Sequence, residues 1–459
     1  MKLNLSEITL KSPNIKGSEQ FMLIGLLVFN FIISFRLTNS TVLHDIGKMT
    51  ETLYLVLLFL YISSRVINRL VKGNLKLNGF EFMFCIYLAL PILPAVSAYF
   101  VWDQPFYLGF LSFREFYLMG GALVLYNFVK DNVKKLIVVE KSMVITAWIA
   151  LTLFYLTSLF ADPTQFLDSK VVSFSANRGG ILLFKFNMGF VFFGSIYYFV
   201  RTLKKGGLIN LVCFAMFIIY IFFFRQDRSS MLAVAAALGL FALFHLDFQR
   251  KILVSSILSV ISICAIVLIY HLNPESIEAY VFMFEDILYA LSGESNPNVG
   301  MSVRIYETAI ANTYVQENPL LGNGKISNYF MEGGFNALFY FFYPTDIGLI
   351  GSVFTYGIPG TILLYSQFIF VVYWIRKIKY FKENVFFLAT SYYLLILFID
   401  SMSNGYLTLF SSQSISTVAI IFMFYMYDKA IVKEVRSRFT KDYNFDIATK
   451  LLGKTSHSV

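Results

Sequence analysis

Runs of about twenty apolar residues, separated by short polar stretches, recur along this chain from residue 21 to residue 428. A helical span across a bilayer core needs about 20 mostly apolar residues. Twelve segments meet that need: 21–37, 49–64, 80–100, 109–129, 137–160, 181–200, 208–224, 229–246, 252–271, 346–374, 385–400 and 413–428. Apolar and polar positions do not alternate within them, which excludes a barrel, and backbone groups in lipid must bond within their own segment, so the spans are predicted to be helices. One interruption is long, residues 272–345. Asn273-Pro274-Glu275 opens it like a helix start, and Ile277, Val281, Phe284 and Leu288 then recur at helical spacing, predicting a helix at the membrane interface. A second helix is predicted from near Ser302, carrying Arg304 and Glu307 on one face. Asn318-Pro319 should stop it, and Gly322-Asn323-Gly324 permits a turn with positive φ. The tenth span contains Gly348, Gly351, Gly357, Pro359 and Gly360, so a kink at Pro359 and close helix packing are expected. The expected fold is all-α and polytopic, with about twelve transmembrane helices. Residues 1–459 form a single integral membrane domain, and 272–345 an extracytoplasmic loop insertion containing short amphipathic helices.

Composition agrees with this reading. Hydrophobic residues make up 57% of the 459 positions and charged residues 14%, too few polar groups to coat a soluble globule of this size. Most of the 37 basic residues fall on one side of the predicted spans when the N-terminus is placed in the cytoplasm. That is the positive-inside bias, and it puts both termini in the cytoplasm. The net charge of +9 is therefore read as orientation, and no nucleic-acid partner is expected. The first span reads as an uncleaved signal anchor. Cys85, Cys213 and Cys264 lie far apart within spans, and the four histidines have no ligand spacing, so neither a disulfide frame nor a metal or cofactor is expected.

A few cations run against the bias and need a reason. Arg114 sits inside a span beside Glu115, Arg178 precedes Gly179-Gly180, Arg225 and Arg228 bracket a tight outer turn, and Arg304 lies in the long loop. Each also has a structural reading: Arg225 and Arg228 as anchors at span ends, Arg114 as partner of Glu115 or of a buried acid, and Arg304 as a solvated partner of Glu307. Asp346, at the start of the tenth span, could cap that helix.

The order of these features resembles the O-antigen polymerase and O-antigen ligase superfamily. Arg178 stands in an outer loop, Arg228-Ser229-Ser230 opens a helix of small residues, Arg304 precedes the 318–324 turn, and Gly357-Ile358-Pro359-Gly360 follows. The resemblance implies a metal-independent membrane glycosyltransferase acting on polyprenyl-diphosphate-linked glycans at the outer face of the bacterial inner membrane. It further implies a role in O-antigen, capsular or exopolysaccharide synthesis, with a lipid-linked donor and acceptor and a chain-length regulator protein as partners. The ligase branch carries a histidine just before the span that follows the long loop. Here that place reads Phe342-Tyr343-Pro344-Thr345-Asp346, which favours the polymerase branch.

Transfer of a glycan from a diphosphate lipid breaks an anomeric C–O bond and leaves charge on the diphosphate, so fixed positive charge is needed there. Arginine suits this task, because its planar fork binds phosphate bidentately and keeps its proton. Arg178, Arg228 and Arg304 are expected to hold the diphosphate with support from Arg225 and Arg114. Asp346 is expected to receive or orient the acceptor hydroxyl's proton, ahead of Glu307 and Asp103. The competing functions are ligase-type transfer of a finished glycan and a lipid-linked oligosaccharide flippase.

Overall fold

The computed structural model describes residues 17–32, 41–73, 76–162, 164, 172–175, 181–184, 186, 188–225, 227–272, 299–339, 342–405, 407 and 411–454. The first half holds α1 (Gly17–Ile32), α2 (Thr41–Val71), α3 (Gly79–Ala89), α4 (Ile92–Trp102), α5 (Phe106–Leu111), α6 (Gly120–Val129) and α7 (Lys135–Phe160). After a two-stranded hairpin come α8 (Gly189–Lys205), α9 (Leu208–Ile219), α10 (Arg228–His245) and α11 (Phe248–Leu272). The last four are α12 (Val299–Glu317), α13 (Gly348–Lys377), α14 (Val385–Ser403) and α15 (Ser411–Lys454).

The protein is thus a helical membrane protein. Eight helical segments among the described residues are long and apolar enough to cross a bilayer: Glu51–Val71, Gly79–Trp102, Lys135–Phe160, Leu208–Arg225, Arg228–His245, Pro344–Lys377, Val385–Ser403 and Ser412–Lys433. Each coincides with a predicted span. The other four predicted spans take different forms. The first is only the 16 residues of α1. The fourth is broken into α5, a 3-10 turn over Arg114–Met119, and α6, because Arg114 turns aside to meet the buried Glu51 at 3.1 Å. The sixth opens as a strand: β1 (Val172–Ser175) and β2 (Ile181–Phe184) pair antiparallel with Val172 opposite Phe184, leaving the 17 residues of α8 for the helix. The ninth is α11, many of whose side chains lie outside the described residues. The predicted interfacial helix with Ile277, Val281, Phe284 and Leu288 also lies outside them.

Buried aromatic residues make the core, among them Phe154, Phe192, Phe193, Phe217 and Tyr393. Within it α14 is central, packed against α8, α10, α13 and α15. A second, smaller core gathers Ala311 of α12 with Phe335, Phe342, Ile347 and Phe354. It binds the segment after α12 to the start of α13.

Candidate functional site

The site is built on a broken helix. At Gly357 the backbone of α13 leaves helical geometry, with φ 67° and ψ 175°, two residues before the Pro359 where the kink was expected. Proline explains why repair is needed: it has no N–H to give the carbonyl four residues back, which is that of Thr355. The 318–324 turn supplies what is missing. Gly324 N–H donates to the Thr355 carbonyl (3.1 Å), Asn323 N–H to that of Phe354 (2.6 Å), and Ile358 N–H finds the Pro319 carbonyl (2.8 Å). Non-helical backbone at membrane depth survives only where protein satisfies it in this way.

The glycines of the turn are there for contact. A Cβ on Gly322 would lie 2.3 Å from the Gly357 nitrogen, and one on Gly324 2.4 Å from the Pro94 carbonyl. Side chains then lock the turn. Trp102 Nε1 donates to the Asn323 carbonyl (2.6 Å), Ser97 Oγ to that of Leu321 (2.6 Å), and Asn323 Nδ2 to that of Tyr314 in α12 (3.1 Å). Lys325 donates to the Ser112 carbonyl (3.2 Å). The motif 318–324 is therefore a plug that fixes α12 against α13.

That plug sets the position of two carboxylates. Glu307 in α12 has no exposed surface, and its Oε1 accepts Tyr343 N–H at 2.9 Å while Oε2 is buried without a hydrogen-bond partner. Burial pushes its pKa up to about 7, and the nearby Asp346 adds to the rise, against the opposing pull of the Tyr343 hydrogen bond and Arg304. Asp346 is exposed, in a 3-10 turn over Pro344–Ile347. Its own N–H donates to the Tyr343 carbonyl (2.8 Å). Thr345 Oγ1 donates to Asp346 Oδ1 (3.4 Å). Arg304 is exposed on α12 and forms no ion pair with Glu307. Although three residues apart, the two side chains occupy different environments.

The Pro344–Ile347 turn also connects to a second polar cluster. Gly405 N–H donates to the Thr345 carbonyl (2.5 Å), and a Cβ on Gly348 would lie 2.2 Å from the Met402 carbonyl, so the turn is pressed against the end of α14. There Asn404 Nδ2 donates to Ser229 Oγ (3.1 Å), and Ser229 donates to Asp400 Oδ1 (2.9 Å). Ser230 donates to Asp227 Oδ2 (2.8 Å), and Asp227 pairs with Arg225 at 3.2 Å. Arg225 also donates to the Phe186 carbonyl. Phe186 stacks between Phe154 (4.4 Å) and Phe184 (5.5 Å), which anchors the β hairpin beside the cluster. A continuous set of bonded residues thus runs from Glu307 through the 343–347 turn to Arg225, all at one end of the bundle.

The expected site residues divide accordingly. Arg304, Asp346, Arg225 and Arg228 lie on segments that this network joins, with Arg228 partly exposed at the start of α10. Arg225 is buried and engaged on two sides, which makes it a strut of the network. Arg114 is paired with Glu51 of α2, the buried acid that the structural reading of Arg114 required. Arg178 falls in 176–180, outside the described residues. Asp103, the other weaker candidate, caps α4 in the left-handed conformation (φ 53°). Asp400 escaped the sequence reading, although an ionisable group inside an apolar span is a signal of function by default. Ser229, Ser230 and Asn404 carried no such signal.

The arrangement offers an exposed carboxylate and an exposed guanidinium within electrostatic reach of one buried carboxyl, on backbone held by a repaired helix break. That suits proton transfer beside an anionic group. Among the described residues, no group of three His, Cys, Asp or Glu side chains could hold a metal ion. A search of curated proteins finds no match. Residues 211–365, which span Arg225, Arg228, α12 and the break in α13, match the family model described as O-antigen ligase, which supports the likeness to the O-antigen polymerase and ligase superfamily.

Proposed function

We propose that this chain polymerises polyprenyl-diphosphate-linked oligosaccharide repeat units at the outer face of a bacterial inner membrane. The observation that carries the reading is the exposed Asp346, held in the turn before α13 between Glu307 and the Arg225–Asp400 cluster, with Arg304 exposed on the adjoining helix. In this mechanism an acceptor hydroxyl attacks the donor's anomeric carbon and its proton passes to Asp346. The bond to the diphosphate breaks, and Arg178, Arg228 and Arg304 hold the departing anion by charge-assisted hydrogen bonds. Arg225 supports these groups from within the bundle, while Arg114, paired with Glu51, stands apart from them. Glu307 touches no substrate here. It is a positioning residue, holding Tyr343 N–H and so the turn that presents Asp346.

Both termini belong in the cytoplasm in this reading, 1–459 is one membrane domain, and 272–345 is its outer insertion. The segment 342–346 has no histidine, which favours polymerase over ligase. Ligase-type transfer of a finished glycan is the second reading, favoured by the description of the matched family model. A cell lacking the protein distinguishes them. A polymerase mutant keeps single-repeat product and loses the ladder of longer chains, whereas a ligase mutant accumulates long lipid-linked polymer. The second outcome would overturn the polymerase reading.

A further inference from the structure

Along one flank of the bundle, α10, α13 and α14 leave a cavity of about 1000 Å³. Most of its wall is apolar, formed by Leu240, Phe244, Phe368, Val372, Leu395 and Phe398. One end reaches Leu349 and Met402, beside the turn that carries Asp346. The other reaches Arg376, Lys382, Glu383 and His245. Past the break at Gly357, α13 rises about 27 Å from Ile358 to Arg376 at 1.5 Å per residue, close to the roughly 30 Å of a hydrocarbon core. The two ends therefore lie at opposite surfaces of the membrane.

The second end is basic and its charges are unspent. Glu383 is already committed to Lys204, whose hydrogen bond holds the Glu383 carboxyl below its ordinary value. Arg376 and Lys382 are exposed and form no ion pair among the described residues. Arg376 lies in the last turn of α13, and the loop after it, which bears Lys382, is fixed from α15, where Asp428 Oδ1 accepts the N–H groups of Lys379 (3.0 Å) and Tyr380 (2.6 Å). His245 lies at the same end, its ring stacked on Phe241 at 4.7 Å. Two ordered cations at the membrane surface, above an apolar cavity between helices, match an anionic lipid in both charge and polarity.

We propose that this end of the cavity binds an anionic glycerophospholipid, its phosphate held by Arg376 and Lys382 and its acyl chains lying between α10, α13 and α14. The site is at the opposite end of the bundle from Asp346, and its occupancy is independent of the reaction catalysed there.

The test uses the full chain purified in detergent, with bound lipid read by native mass spectrometry and the unfolding midpoint read alongside. Phosphatidylglycerol should be retained at one per chain and raise the midpoint saturably, while phosphatidylcholine and inorganic phosphate at equal concentration should do neither. R376Q/K382Q should weaken retention at least tenfold, and R376K/K382R should retain the lipid as the native chain does, with lipid-free midpoints reporting whether each variant folds. V372W, which sets an indole in the path of the acyl chains without changing charge, should also lose the lipid. Equal retention of both phospholipids, stabilisation by inorganic phosphate alone, or retention in either R376Q/K382Q or V372W would overturn the proposal. So would a preference for polyprenyl phosphate over phosphatidylglycerol, which would give the cavity to the substrate's tail.

Discussion

Glu307 and Arg304 stand three residues apart in α12, yet one is buried and the other exposed. Raising the Glu307 pKa to about 7 has a consequence for stability whose sign is fixed. Between the ordinary carboxylate pKa and about 7, the folded protein holds a proton that the unfolded chain has released, so this group's contribution to stability falls as pH rises through that window. E307Q keeps an acceptor for Tyr343 N–H without the charge. Its unfolding midpoint should exceed that of the native chain at pH 8, with the gap closing towards pH 5. A gap that does not change with pH would mean that Glu307 is not held in this way. The sequence marked this position as a helix-surface partner of Arg304 and a weaker candidate base, but not as buried, because i,i+3 spacing says which residues share a face and not what that face meets. The meeting with Tyr343 N–H, 36 residues on, is tertiary. Asp400 could have been found by its charge inside an apolar span. Ser229, Ser230 and Asn404 are ordinary residues until the fold brings them to it.

At the scale of elements, the decisive feature is the break in α13 and the turn that fills it. Both partners showed in the sequence, as a proline with glycines in a long span and as a glycine turn. Their union did not, since nothing local says that the Asn323 and Gly324 amides serve carbonyls more than 30 residues away. Proline predicted a kink at itself, but the distortion falls at Gly357, where positive φ is free of a Cβ penalty. An alanine there would set its Cβ 2.2 Å from the Leu320 carbonyl. G357A should therefore lose more than ~2 kcal/mol of stability, combining strained φ with a backbone clash. Gly333 makes the control, with φ +85° but its nearest outside atom at 3.8 Å. G333A should lose only ~1 kcal/mol. Unfolding midpoints in one detergent compare them, and equal losses would show that the plug does not bear on stability.

At the scale of the whole molecule, hydropathy located all eight segments among the described residues that are able to cross a bilayer. The other predicted spans are not single long helices: a charged pair, Arg114 with Glu51, interrupts one greasy stretch, and β2 takes the first residues of another. Apolarity measures affinity for lipid and does not say whether a segment is one helix. The bundle has two chemically distinct ends. Carboxylates and hydroxyls bonded in series, from Glu307 to Arg225, occupy one, and free cations the other. Placing glycosyl transfer at the first end is the central claim. It is tested most directly by reconstituting the purified chain in vesicles whose outer leaflet carries a polyprenyl-diphosphate-linked repeat unit, and resolving products by length. The native protein should build a ladder of chains. D346N and R304A, folded to the same midpoint, should each cut the rate of elongation by about 100-fold or more, the range typical of losing a proton acceptor or a charge-stabilising group. Undiminished elongation by both variants would contradict the assignment of the site.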